Sequence, residues 1–374
     1  MKIAIVTLTT TAKRTGVAEY IIHLLEGLQR IDKNNEYIVF TGTDNSYMFN
    51  FLGGNFREVR LPLSHAKWMR PIFYFWLIVM LPVKCWRNRI NLVHLPNTMF
   101  VTGLFRTITT IHDITELKTR KYSPIRTFFR RLMVKSAILR SELVLTVSKS
   151  SAHDLTMLGA KKILNIPLGF TSPFPLRISL EEESKILMKY SLVGVRYALF
   201  IGTLLKHKNV PALIEAFALA RRKIQDFELV IIGSNGNDSE NVVRKIQEAK
   251  LDRHIHLLNF VDQEDKLVLL KNASVFCFIS SYEGFGIPVL EAQAAGVPVI
   301  VSAVSSLPEV GGLGVYQVST KFLVDETSQA LEKISNDQGL RDNLILLGKQ
   351  NLLRFSWESF SENTLKAYQT LSIS

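Results

Sequence analysis

One feature constrains this chain more than any other: short apolar runs alternate with longer segments of helical periodicity, and the alternation runs through the chain twice. Ile3–Leu8 reads as a strand and Val17–Arg30 as a helix; Tyr37–Phe40, Leu92–His94, Thr107–Ile111 and Leu143–Val147 read as further strands. Strands separated by helices pair in parallel, and helices then cover both faces of the sheet. Residues 166–190 break the pattern with Pro167, Gly169, Pro173 and Pro175 and the acidic Glu181–Glu183, which reads as an interdomain linker. The alternation then restarts. Tyr197–Ile201, Leu229–Ile232, Ile255–Leu258, Val275–Ile279 and Val297–Val301 are expected strands; Val210–Lys223, Ser239–Lys250 and Ile287–Ala295 are expected helices. Leu340–Ser374 reads as helical with a break at Phe355–Ser356. The expected class is α/β, with two Rossmann-like domains whose parallel sheets face each other across a cleft at the C-terminal ends of their strands. Their expected bounds are 1–170 and 171–355, followed by a closing helix at 356–374.

Length and composition agree with two domains. The chain has 374 residues, 47% of them apolar and 21% charged, which excludes wholesale disorder. Its two cysteines, Cys85 and Cys277, exclude a disulfide framework and a four-cysteine zinc site, and fit a reducing, cytoplasmic setting. Met1–Thr11 is continuously apolar only over Ile3–Val6, which suits a buried first strand better than a signal peptide. The longest uncharged apolar run, Pro71–Val83, has 13 residues, short of the roughly 20 that span a bilayer. It reads as a core helix, as apolar runs of this length usually are, or as a helix lying at a membrane interface.

The net charge of +12 is uneven. Residues 1–175 hold 24 Lys/Arg and 10 Asp/Glu, a net of +14; the remainder hold 21 and 23, a net of −2. Lys118–Arg140 contains eight basic residues and no acidic one, interleaved with Phe128, Phe129, Leu132 and Met133. From Pro124 onward it can form a helix with an apolar side and an arginine-rich side. That helix is either a solvated face or a surface for anionic lipid headgroups.

The chemistry concentrates in Ser280–Gly296, SSYEGFGIPVLEAQAAG. A strand ends near Ile279, and Gly284 and Gly286 then flank Phe285. Pro288 suits the first turn of a helix, whose free N–H groups and dipole favour an anion. Glycines there let backbone approach a phosphate closely. Glu283 and Glu291 lie eight residues apart, before the loop and one turn into the helix, and carboxylates suit a sugar or ribose diol.

The segment Glu283–Glu291 resembles the E-x7-E motif of the GT-B retaining glycosyltransferases of family 4. Ile201–Asn209 (IGTLLKHKN), Val261–Ala273, Gly296–Ser302 and Ser305–Val310 agree in order and spacing. Phe355–Tyr368 resembles the family's closing helix, which crosses back to the N-terminal domain. The resemblance covers nearly the whole second half and, more loosely, the first. It implies that Glu291 binds the nucleotide ribose and Glu283 holds donor-sugar hydroxyls. It implies that the loop of Gly284, Phe285, Gly286 and Ile287 contacts sugar and diphosphate, that backbone near Val261 reads the base, and that Lys208 neutralises the leaving diphosphate. Cations and helix N–H groups preorganised there stabilise charge that develops in the transition state. In the first half, His112-Asp113 follows the strand Thr107–Ile111. The resemblance implies a catalytic contact from His112 to the donor sugar, with Asp113 beside it. It also places Gly16, in KRTGVAEY, in the glycine loop under the diphosphate, where Thr15 replaces a glycine that is commonly doubled. His94 reads as a strand-end packing residue.

No Asp-x-Asp metal motif stands out; Asp226-Phe227-Glu228 lies at a helix–strand junction. The expectation is therefore a metal-independent transferase with a nucleotide-diphosphate-sugar co-substrate. Its wording most resembles mannosyl- and rhamnosyltransferases of surface polysaccharide assembly, which implies GDP-mannose and a lipid-linked or oligosaccharide acceptor. It further implies a peripheral position on the cytoplasmic face of the membrane through the basic first domain. A UDP- or dTDP-sugar donor and a non-catalytic basic binding protein are the alternatives. A nicotinamide oxidoreductase is disfavoured because no G-x-G-x-x-G follows Ile3–Leu8, and a nucleic-acid partner because no zinc-finger or RNP-type motif is present.

One departure from the family pattern is testable. Where Arg usually precedes the lysine, this chain has His207. Histidine is only partly charged near neutral pH, whereas arginine is always charged and grips phosphate with two hydrogen bonds. Donor affinity is expected to weaken as pH rises from about 6 to 8, and to lose that dependence in His207→Arg; titration calorimetry at both ends of the range checks this.

Overall fold

In a computed structural model of the chain, the two alternations become two all-parallel sheets. The structure describes all residues except 11–15, 65–69, 120–123, 176–177 and 372–374, together with the side chains of residues 70 and 71. The chain divides into two units, Met1–Gly169 with Phe355–Ser374, and Phe170–Arg354.

The first unit contains β1 (Lys2–Val6), β2 (Glu36–Thr41), β3 (Phe56–Arg60), β4 (Leu92–Leu95), β5 (Thr107–Thr110), β6 (Leu143–Thr146) and β7 (Ile163–Asn165). Their order is β3-β2-β1-β4-β5-β6-β7. Ile3 sits opposite both Tyr37 of β2 and Leu92 of β4, so the sheet grows outward from β1 on both sides. Growth in two directions, with right-handed crossovers, places helices on both faces. The helix Gly16–Ile31 lies on one face and buries Tyr20, Ile21, Leu24, Leu25 and Leu28. The helices Leu81–Arg87 and Pro124–Arg140 follow β3 and β5 and belong to the other.

The second unit contains β8 (Arg196–Ile201), β9 (Phe227–Ile232), β10 (Ile255–Leu258), β11 (Val275–Phe278), β12 (Val299–Ser302) and β13 (Tyr316–Val318), in the order β10-β9-β8-β11-β12-β13. Its strands read as near-continuous apolar runs because both faces are covered. Phe200, Phe276 and Phe278 stack within the core, and Ala198, Leu199, Leu229, Val230, Val275, Val299 and Ile300 are fully buried.

Three strands escaped the sequence reading: β3, β7 and β13, all at or next to a sheet edge, where only part of each strand is buried and the apolar signal is weak. The expected linker at 166–190 is not irregular throughout, since it contains the helix Leu180–Lys189. Ser179 and Glu182 form a capping box at its start, so Glu181–Glu183 are first-turn residues that favour the helix dipole. Glu183 then binds Lys271 at 2.6 Å and Asn272 at 2.8 Å, which holds the helix on the second unit. The core reading of Pro71–Val83 is also corrected. Trp76, Leu77 and Leu81 are buried, but Ile72, Phe75, Ile78, Val79, Met80 and Val83 are exposed. The run is long enough for both faces of a helix, and the sheet covers only one.

The helix Trp357–Thr370 returns to the first unit and packs on Gly16–Ile31. A Cβ on Gly27 would lie 1.8 Å from Ser361 Oγ, so glycine there permits the two backbones to approach. His23 stacks on Trp357 with ring centroids 4.1 Å apart. Gly27→Ala is expected to destabilise the first unit by about 1–3 kcal/mol through overpacking, read as a lower urea midpoint; Gly53→Ala, which meets nothing within 4 Å, is the control.

Candidate active site

In both sheets the strand order reverses once; His207, Lys208, the loop from Glu283 to Ile287 and Glu291 gather at the reversal in the second, whereas Val261 follows the edge strand β10 and His112 follows β5. Such a reversal opens a crevice beyond the C-terminal strand ends, because the two connecting loops run to opposite sides. In the second unit the reversal lies between β8 and β11. The loop after β8 ends in a helical turn, Lys206–Lys208, carrying His207 and Lys208. The loop after β11 carries Glu283–Gly286 and leads into the helix Ile287–Ala294. The two are tied together: Asn209 Nδ2 donates to the Ile279 carbonyl at 2.9 Å, and the Ser281 N–H donates to the His207 carbonyl at 2.7 Å.

The central contact is between side chains. Lys208 Nζ lies 2.5 Å from Glu283 Oε1 and 4.7 Å from the centre of the Phe278 ring. Lys208 and Glu283 are only 13% and 14% exposed, so the pair is poorly screened by water and its charges interact strongly. The loop that holds Glu283 is fixed by the segment Ser305–Val310. The Glu283 N–H donates to Ser305 Oγ at 2.9 Å, and Ser306 Oγ donates to the carbonyls of Glu283 and Phe285 at 3.0 and 2.8 Å. Gly286 has φ +109°, and a Cβ there would also press on Leu307 at 3.0 Å, so this corner requires glycine. Pro288 occupies the first turn of the following helix. Glu291, one turn further, is bound by Lys266 Nζ at 3.2 and 3.4 Å, with both side chains under 20% exposed. Val261 lies beyond β10 and packs partly on the core. Of the Asp226–Glu228 stretch, Glu228 pairs with His256, and Asp226 occupies a turn with φ +51°.

In the first unit the reversal lies between β1 and β4. Gly16 opens the helix after β1; Thr15 and the rest of the glycine loop lie outside the described residues. His112 stands just beyond β5. Its Nε2–H donates to the Pro96 carbonyl at 3.0 Å, which leaves the lone pair of the neutral ring on Nδ1. The Tyr20 ring meets it edge-on at 4.7 Å. Burial holds the His112 pKa below its ordinary value, against the Pro96 hydrogen bond and the Asp113 charge, so the ring is neutral near pH 7. Asp113 Oδ1 accepts the Thr115 N–H at 2.8 Å and so shapes the entrance to the short helix Thr115–Lys118.

His94 is a packing residue with a larger part than the sequence suggested. It is fully buried, with Nδ1 2.6 Å from Tyr368 Oη and Nε2 2.9 Å from Thr110 Oγ1. Thr110 Oγ1 is in turn 2.8 Å from Tyr20 Oη. A chain of hydrogen bonds thus joins the closing helix, two strand ends and the first helix beside His112. Burial, with a smaller contribution from His112, lowers the His94 pKa to about 3. Cys85 and Cys277 are free and buried, and burial pushes both thiols up to about 12, so neither is a nucleophile at neutral pH.

Comparison with known proteins bears on this geometry. A family model, Glycosyl transferases group 1, matches residues 189–351. The O-antigen chain mannosyltransferase B of Escherichia coli is 32% identical over 284 residues, covering 74% of each chain. The chain belongs to the glycosyl transferases group 1 family. This glycosyltransferase is also 24% identical over 271 residues to the capsular polysaccharide biosynthesis glycosyltransferase CapM of Staphylococcus aureus, covering 70% of each. Its fold matches sucrose-phosphate synthase of Thermosynechococcus elongatus with a TM-score of 0.75 at 19% identity, covering 100% and 99% of the two chains. It matches WaaG, a glycosyltransferase involved in lipopolysaccharide biosynthesis, with a TM-score of 0.71 at 15% identity, covering 97% and 98%. Two Rossmann-like units with parallel sheets are thus the GT-B architecture of glycosyltransferases.

Sequence reading missed Lys266, Ser305, Ser306 and the Tyr20–Thr110–His94–Tyr368 chain in this glycosyltransferase. Lys266 lies 25 residues from Glu291, and no local spacing signals the pair. Ser305 and Ser306 did fall in a quoted segment, but their contacts to residues 283–285 are tertiary.

Fully buried His94, with half-buried His112 acting in the same direction, makes stability depend on pH. An unfolded imidazole takes up its proton near pH 6.5, but folded His94 does so only near 3. The unfolded state therefore binds more protons between these values, and stability falls as pH drops below 6.5. The expected loss is about 1 kcal/mol per pH unit for His94 over this range. Urea midpoints of the first unit at pH 7 and 5 should show it, with a shallower dependence in His94→Gln.

Proposed function

We propose that this glycosyltransferase transfers mannose from GDP-mannose to a lipid-linked saccharide in surface polysaccharide assembly, with retention at the anomeric carbon and without a metal ion. The observation that carries the reading is the sheltered Lys208–Glu283 pair at the β8/β11 reversal, beside a helix start cleared by Gly286. In the reaction the bond from the anomeric carbon to the diphosphate oxygen breaks. A bond to an acceptor hydroxyl oxygen forms, and the hydroxyl proton passes to the departing diphosphate. Negative charge grows on that diphosphate. Lys208 and the N–H groups of the loop from Gly284 to Ile287 would meet it, and Glu283, released from Lys208, would accept donor-sugar hydroxyls. Glu291, held in place by Lys266, would accept the ribose diol. His207 would add partial charge, and backbone near Val261 would contact the base. His112 keeps the catalytic contact to the donor sugar that the resemblance implies, made by a neutral imidazole, and Asp113 beside it would orient the histidine through the loop it fixes at Thr115.

The choice of mannose rests on similarity to the O-antigen chain mannosyltransferase B and on the Glu283–Glu291 segment. The choice of a lipid-linked acceptor rests on the basic first half, which suits a peripheral position on the cytoplasmic membrane face. Among the described residues no helix is long and apolar enough to cross a membrane.

Release of nucleoside diphosphate from a panel of GDP-, UDP- and dTDP-sugars, with membrane extract as acceptor, tests the reading. GDP-mannose should be turned over fastest, and chelator should leave the rate unchanged. Lys208→Ala and Glu283→Gln should each lower kcat/KM by about 100-fold or more. Lys266→Ala should mainly raise KM for the donor, with partial recovery in Lys266→Arg. Equal turnover of all donors, or full activity of Lys208→Ala, would refute the assignment.

A further inference from the structure

The apolar run that the sequence left between core and interface turns out to present an uncovered face. Three helical stretches follow one another here: Arg70–Phe75, a π-helical turn at Trp76–Met80, and Leu81–Arg87. Trp76, Leu77, Leu81 and Cys85 face the sheet and are buried. Ile72, Phe75, Ile78, Val79, Val83 and Trp86 are exposed, Phe75 by 57% and Trp86 by 79%. Positions 72, 75, 79, 83 and 86 recur at intervals of three and four, so they form one stripe along the helix. Exposed apolar residues scattered singly need no explanation, but a stripe of this length on a soluble face marks an interaction surface. Lys84, Arg87 and Arg89 stand at its C-terminal end.

The basic helix Pro124–Arg140 repeats the pattern. Ile125, Phe128, Phe129, Leu132 and Leu139 are exposed, and Arg126, Arg131, Lys135 and Arg140 are exposed beside them. Arg130 is half-buried and pairs with Glu116. Both helices enter strands on the same side of β1, so right-handed crossovers set them on one face of the sheet. The loop between β4 and β5 joins them. On one side Phe100, Val101 and Phe105 close a small apolar hollow with Leu77 and Leu81. On the other side the Val101 N–H donates to Ser136 Oγ at 3.2 Å, and Arg140 Nη1 donates to the Val101 carbonyl at 3.2 Å. Leu104, at the tip of this loop, is 66% exposed.

We propose that these two helices and the loop between them form one docking face for an anionic bilayer, with 72–86 as the element that inserts. The inference rests on the peripheral-membrane part of the proposed function and deepens it by naming an apolar anchor beside the charged one. Charge complementarity selects the occupant. Among the described residues the rim of the face is basic, and a second copy of the same basic surface would repel it. Headgroup phosphates would receive Arg126, Arg131, Lys135 and Arg87, while Phe75, Val79 and Trp86 would reach the acyl boundary. Neither contact alone suffices for firm attachment, since salt screens the first and the second covers a limited area.

Flotation of the full chain on phosphatidylcholine vesicles, with and without phosphatidylglycerol, tests this. The wild type should bind the anionic vesicles. Phe75→Ser, Val79→Ser and Trp86→Ser together should weaken binding more than ~10-fold even at low salt, since withdrawing side chains of this size from hydrocarbon has at least that effect. Arg126→Gln, Arg131→Gln and Lys135→Gln together should reduce the salt dependence and the preference for phosphatidylglycerol. Trp86→Phe should keep binding but lose the vesicle-induced blue shift of fluorescence. Melting curves verify that every variant folds. If the charge variant loses binding and the apolar variant does not, insertion is refuted while the membrane reading stands. If the wild type binds neither vesicle, both are refuted. If it binds no vesicle but forms a dimer that the apolar variant dissolves, or binds duplex DNA instead, the face belongs to another partner.

Discussion

A parallel sheet that grows in two directions from one strand governs most of what this chain does. Parallel strands need long crossovers, the crossovers are right-handed, and so the helices divide between two faces according to the direction of growth. At the strand where direction reverses, neighbouring loops part and leave backbone and side chains accessible above an otherwise closed core. Both sheets have one such point, β1/β4 and β8/β11. His207, Lys208 and the loop from Glu283 to Gly286 meet at the second although about 75 residues separate them.

The site at β8/β11 is rigid by construction. Ser305 and Ser306 fasten the Glu283 loop, Asn209 and Ser281 fasten the two loops to each other, and each of the two glutamates holds a lysine. Pairing offsets much of the cost of sheltering a charge, and it keeps each carboxylate oriented. In the proposed transfer, whose leaving group gains negative charge, Lys208 would already stand beside that charge once the donor draws Glu283 away. In the first unit the same economy of motion is achieved with neutral groups: Tyr368, His94, Thr110 and Tyr20 share hydrogen bonds in a fully buried row beside His112.

Much of the fold was legible because buried parallel strands are apolar on both faces and stand out between helical segments. β1, β2, β4, β8, β9, β11 and β12 were all recognisable in this way, and the edge strand β10 by its apolar run alone. β3, β7 and β13 were not, since strands at or near an edge are only partly buried and carry a mixed pattern. The helix Leu180–Lys189 was hidden by the prolines before it, although Ser179 and Glu182 spelled its capping box. Glu283, Gly286, Pro288 and Glu291 were legible because strand, glycine turn and helix start are local in sequence. Lys266, Ser305, Ser306 and the His94 row were not, because their partners are distant in sequence.

The amino-acid sequence by itself determined the α/β class, the two parallel sheets, the glycine corner at 286 and the concentration of charge in residues 1–175. Those properties follow from periodicity, backbone freedom and composition, which act over a few residues at a time. Tertiary structure alone decided which lysine meets which glutamate, that His94 is a buried neutral link, and that the run from Pro71 to Val83 is core on one side and surface on the other. An apolar helix carries no mark of which faces will be covered; that depends on how much of it the sheet can reach.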